Sequence, residues 1–476
     1  MRRDHVHSNL SVLLSHMLAA FATSAVLLVS GCGMGRTDTQ TSPSGPLSIS
    51  GKIVGGENPI SGATVSFYET TSNGVAATGS YKGYYAPATP LTALESTLSN
   101  ASGSFPFSTA LACVRSTDYV YATAAGGNSG ANANNPQILL AAAVGSCSNF
   151  GASTSIVINE LTTVAAAYAL QGFSSVTGTY TAGSPATVPV LSVTSSTTNY
   201  ATASATAGSL SAAGLAHAFA NAANLVNVTT GAPYSSIPSN AGTVAPLSLI
   251  NMLGNILQAC VNSTGGSATS STANDGSGCG KLFSYTTVNS VVPTNTLSAL
   301  LNIVRNPTAS VTNLFNLAST SGAFAPTVTQ APADLSMAIV YSKFDGASNG
   351  DTSDSQTNGL YYPYSLTLDD NDNVYVLNTN GVPTTQSNVL AFSSSGTPLY
   401  STAIDSTVST APRYIAADGV GNIFTVSGST IAEFTAATGA AEQTITLPNS
   451  ATGLQSIAID SSNNLWVGVT ETGTAT

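Results

Sequence analysis

Three stretches of the chain share one pattern: PYSLTLDDNDNVYVLN (363–378), PRYIAADGVGNIFTVS (412–427) and LQSIAIDSSNNLWVGV (454–469). In each, an alternating apolar run leads to an aspartate and a polar turn, and a second apolar run follows, which by period is strand, turn, strand. The second strands are predicted over Val374–Leu377, Ile423–Val426 and Leu465–Val467. Asp369, Asp418 and Asp460 hold the same slot, about 40 to 50 residues apart. Two units run on into a further strand and turn, NVLAFSSSGTPL (388–399) and TIAEFTAATGA (430–440). Several strands per unit at this period make one small sheet per repeat, each burying its faces against its neighbours.

The shared pattern, [PL]-x-x-[IL]-x-x-D-x-x-[DGN]-N-[VIL]-[YFW]-[VT], resembles that of NHL-repeat and streptogramin lyase-like β-propellers over residues 338–476. The resemblance implies about two and a half blades of a C-terminally truncated propeller, since a closed ring takes at least about four. Lyases of that family use histidine with acidic residues and a magnesium ion, and these three units contain no histidine. Lyase or hydrolase activity would therefore need catalytic residues in further blades. Asp369, Asp370 and Asp372 crowd oxygen ligands into one turn and are candidates for calcium. Asp418 and Asp460 keep the slot without the extra acids, so the role common to the three positions is turn formation by side-chain hydrogen bonding.

The N-terminus, MRRDHVHSNLSVLLSHMLAAFATSAVLLVSGCG (1–33), has a basic leader, an uncharged stretch from about Leu10 to Ser30 and a small residue before cysteine. That is a signal-peptide layout, and VSGC resembles a bacterial lipobox. The resemblance implies that residues 1–31 are removed, that Cys32 is diacylated, and that residues 32–46 tether the protein to a membrane. Two acyl chains suffice for stable anchoring. Gly33, where sorting rules turn on an aspartate, favours the outer membrane of a two-membrane bacterial envelope. An uncleaved anchor and plain secretion are the other readings of this leader.

Only 10 Lys plus Arg stand against 21 Asp plus Glu in 476 residues, a net charge of −11, which excludes a surface that tracks nucleic-acid phosphates. Removing Cys32 leaves Cys113, Cys147, Cys260 and Cys279, an even number outside the cytoplasm, and hence a disulfide framework. Of the three possible pairings, the local ones, Cys113–Cys147 and Cys260–Cys279, keep each bridge within one predicted domain.

Residues 47–155 alternate in short runs broken by Gly, Asn and Pro. GKIVGGENPISGATVSFY (51–68) and ASGSFPF (101–107) resemble the carboxypeptidase regulatory-like, prealbumin-type β-sandwich, and no catalytic residues travel with that resemblance. Residues 156–335 change to helical spacing, with Ile158, Leu161, Ala165 and Tyr168 in a first helix, then Leu215 to Leu225, Leu249 to Cys260 and Leu297 to Val304. Thr294 or Asn295 caps the last. Between the first two helices, Thr177 to Gly208 is low-complexity Ser/Thr/Ala and is assigned no fixed shape.

The predicted fold class is thus multidomain: an all-β sandwich, an all-α domain, and incomplete propeller blades. That order resembles bacterial envelope lipoproteins. Glu160 reads as a carboxylate at a helix N-terminus, favoured by the helix dipole. His217 is the single histidine outside the leader and reads as structural, so histidine-dependent nucleophilic catalysis has one residue to rely on. No phosphate-binding GxxxxGK[ST] loop occurs. The function expected is a noncatalytic, membrane-anchored binding or scaffold protein without a cofactor. Its partner would be a protein, glycan or small molecule; the alternatives are a propeller enzyme and a structural surface or adhesion component.

Overall fold

In a computed structural model the described residues are 49–70, 95–106, 118–149, 154–193, 207–237, 243–341 and 363–471, apart from short stretches within these spans. Cys32, Cys113, Asp370, Asp372 and the leader lie outside them. The fold is mixed, with several small sheets and six α-helices among the described residues.

The first eight strands are β1 (Ile49–Gly55), β2 (Asn58–Pro59), β3 (Thr64–Thr70), β4 (Glu95–Leu98), β5 (Ser104–Pro106), β6 (Tyr119–Ala125), β7 (Leu139–Ser146) and β8 (Thr154–Ile158). One sheet joins β2, β1 and β5, with β8 parallel to β1; the other has the order β4-β3-β6-β7. Ile49, Ile53, Phe105 and Ile156 of the first meet Val65, Phe67, Val120 and Leu140 of the second in one core, all at most 1% exposed. Gly51 is required by this pairing, because a Cβ there would collide with the carbonyl of Ile156 on β8 and with the ring of Phe105.

The helices are α1 (Glu160–Leu170), α2 (Ala207–Leu225), α3 (Leu247–Val261), α4 (Gly278–Tyr285), α5 (Thr296–Arg305) and α6 (Val311–Ala318). Helix α1 begins two residues later than its apolar spacing suggests. Ile158 ends β8, and Asn159, in an extended conformation, caps α1 by accepting from the N–H of Thr162. The β region therefore runs past residue 155. The helices do not form a core of their own. Alternation along β3, β6 and β7 turns Tyr68, Tyr121, Leu139 and Ala141 away from the first core and into a second, shared with Val164, Phe219, Leu253, Ile256 and Leu300. A sheet buried on both faces explains why β6 and β7 are apolar or small nearly throughout.

Helices α4 and α6 escaped the sequence reading because each has only 8 residues, about two turns, too few to display a period. The low-complexity stretch also holds order. Within it β10 (Val190–Val193) pairs antiparallel with β9 (Ser174–Thr177), which ends where the stretch begins, and the hydroxyl of Tyr121 donates to the carbonyl of Leu191 at 2.7 Å. Further on, β11 (Val226–Asn227) pairs with β12 (Ala232–Pro233), and β13 (Thr243–Val244) with β14 (Val340–Tyr341). The chain is thus still engaged with the helical part at Tyr341, beyond residue 338.

The repeats form β15 (Pro363–Leu368), β16 (Val374–Thr379), β17 (Ser387–Phe392), β18 (Ile404–Asp405), β19 (Tyr414–Ala417), β20 (Asn422–Ser427), β21 (Thr430–Thr435), β22 (Ala441–Thr446), β23 (Ala451–Ile459) and β24 (Leu465–Glu471). They make two four-stranded antiparallel meanders, β15 to β18 and β19 to β22, and one hairpin. Sequence reading missed β18 and β22, the last strand of each meander. Leading strands lie side by side, β15 by β19 and β19 by β23, and the N–H of Ala417 donates to Oγ1 of Thr367 across the first of these contacts. No helix among the described residues is long and apolar enough to cross a membrane.

Candidate functional site

The three repeat aspartates stand at the turn between the first and second strand of each sheet. Asp369 accepts from the backbone N–H of Asn371 and Asn373, the side-chain amide of Asn373 and the hydroxyl of Tyr375, all within 3.0 Å. Asp460 repeats this with the N–H of Ser462 and Asn464, the amide of Asn464 and the indole of Trp466. In the middle unit the aromatic is Phe424, which has no donor. There Asp418 accepts from the N–H of Val420, Gly421 and Asn422 and from the Asn422 amide.

One device, an aspartate bonded by the asparagine four residues on, therefore closes all three turns, and in the first and third an aromatic donor six residues on joins it. The donors surround the charge. They hold the carboxyl of Asp460 well below the usual carboxylate range, the Trp466 indole first among them. At Asp418 burial pushes the other way and is outweighed by the bonds from Asn422, Val420 and Gly421. A carboxylate with four donors has its acceptor positions largely taken; the other two calcium candidates of this turn, Asp370 and Asp372, lie outside the described residues. Among the described residues no group of three or more His, Cys, Asp or Glu is placed to hold a metal ion.

The second cluster is INELTT (158–163), at the junction of sheet and helix. Asn159 also donates from its side chain to the carbonyl of Gly231, Thr162 donates to the carbonyl of Ala141 on β7, and Thr163 accepts from the N–H of Ala141. Glu160 is 0% exposed, and both its oxygens accept from the N–H of Gly56, at 3.0 and 3.1 Å. Burial pushes its carboxyl up to about 7, against the bonds from Gly56 and from its own amide. The helix terminus was legible in sequence. The burial was not, because it depends on a turn 104 residues away.

Cys260 and Cys279 are joined with Cα atoms 4.1 Å apart, bridging the end of α3 to the start of α4. Cys147 is buried and disulfide-bonded. His217 is half-buried on α2. A cavity of about 720 Å³ opens between α1, α2 and the first repeat sheet, lined by residues that include Tyr168, Gln171, Asn221, Leu366, Val376 and Phe392. Among the described residues that line it none is Asp, Glu, His, Lys, Arg or Cys, and those side chains offer shape and amide groups. No protein-family model matches the chain, and no curated protein matches it either.

Proposed function

We propose that this chain is a lipid-anchored protein of the bacterial envelope that binds or scaffolds a partner through its C-terminal repeats, without catalysing a reaction. In this reading the two β1–β8 sheets are a prealbumin-type sandwich, the helices brace its outer face, and each repeat sheet is a blade of an NHL-type propeller. The observation that carries it is the shared role of Asp369, Asp418 and Asp460. The acids that recur from repeat to repeat, the natural suspects for chemistry, have their oxygens occupied by their own turns.

The anchor is tested by Cys32→Ala. The variant is expected in the soluble fraction after cell breakage, with the wild type in membranes; equal membrane retention of both refutes the anchor. The binding role is tested by titrating the chain with envelope polysaccharide and with partner candidates while assaying lyase and hydrolase turnover. Saturable binding without turnover is the expected result. Turnover that survives further purification would replace it with the enzyme reading.

A further inference from the structure

The turn between β1 and β2 is held in an unusual way. Gly56 sits at φ +61, and a Cβ there would run into the side-chain amide of Gln258 on α3. Its N–H points into the protein, where the buried carboxylate of Glu160 receives it. The contact ties the edge of the first sheet to the head of α1, and α1 in turn touches β7, α2, α3 and α5.

We propose that Glu160 is a proton-operated latch: neutral, it keeps the β1–β2 turn closed on α1, and ionised, it favours release of that turn to water. A buried carboxylate is costly unless a cation or a full set of donors meets it. Among the described residues Glu160 has two backbone N–H groups, those of Gly56 and of its own residue, and no cation. The elements packed on α1 supply none beside it. Strands β7, β8, β11 and β12 and helix α3 carry no residue that titrates. Helix α2 carries His217, and Arg305 of α5 donates to the carbonyls of Gln171 and Ser174 past the other end of α1. Lys52 and Glu57, flanking the turn on β1 and in the turn itself, are exposed. Opening the turn hydrates the carboxylate, so release is coupled to loss of its proton. The group is neutral in the closed form up to near neutrality and ionises at ordinary carboxylate values once hydrated.

The experiment is amide hydrogen exchange at Gly56 in the full chain, from about pH 5 to about pH 8, corrected for intrinsic base catalysis, for wild type and Glu160→Gln. The opening constant is expected to rise more than about tenfold in the wild type and to stay level in the variant. A level wild-type profile, or an equal rise in both proteins, overturns the latch. Should Glu160→Gln fail to fold, the carboxyl carbon of Glu160 is titrated by NMR in the wild type. A midpoint near neutrality that moves with Gly56 opening sustains the proposal, and a midpoint in the ordinary carboxylate range overturns it.

Discussion

Asp418 and Asp460 perform one task in two environments, and the difference sets what each is worth. Asp418 is buried and takes three backbone N–H groups with one side-chain amide. Asp418→Ala leaves those donors without an acceptor and is expected to cost about 2 kcal/mol, read as a lower urea midpoint at unchanged slope. Asp460→Ala, on an exposed turn, is expected to cost less. The sign with pH follows from the depressed value of Asp418. Its contribution is present above the unfolded carboxylate range, near about pH 4, and is lost as the pH falls through the lower folded value. Glu160 acts in the opposite sense. Its folded value of about 7 exceeds its ordinary 4.5, so its contribution is full below about pH 4.5 and is lost as the pH rises to about 7.

At the scale of elements, short pieces hold their places by tertiary ties. Helix α4 has 8 residues, too few to persist alone. It is secured by its Ser277 cap, which accepts from the N–H of Gly280, and by the Cys260–Cys279 bridge. Replacing both cysteines with alanine is expected to cost about 3 kcal/mol on loop-closure grounds, with exchange protection lost first in α4. Equal protection in both proteins would mean that packing of Leu282 and Phe283 suffices. The β9–β10 hairpin teaches the same point. Its sequence is rich in Ser and Thr and signals little. Its order comes from buried Leu191 and Val193 and from the Tyr121 hydroxyl, which also accepts from the N–H of Val193.

Across the whole molecule, the lowered Asp418 and the raised Glu160 act in opposite senses, and their joint contribution is expected to be greatest between about pH 4 and about pH 5. Thermal unfolding is therefore expected to have a higher midpoint at about pH 5 than at about pH 8, with Glu160→Gln removing most of the difference. Much of the architecture was legible in the chain. Strand alternation located the β region and the repeats, helical spacing located the longer helices, and turn residues located Asp369, Asp418 and Asp460, because all of these are local signals. Other features depend on which distant segments meet. Examples are the second apolar face of β3, β6 and β7, the parallel pairing of β8 with β1, and the chain at Val340–Tyr341 returning to β13. Glu160 makes the division plain. The sequence alone determined that it stands at the start of a helix, through the apolar spacing of Leu161, Ala165 and Tyr168. Only the tertiary structure decided that it is buried under Gly56, because burial is set by the segment folded over a residue and not by the residues beside it.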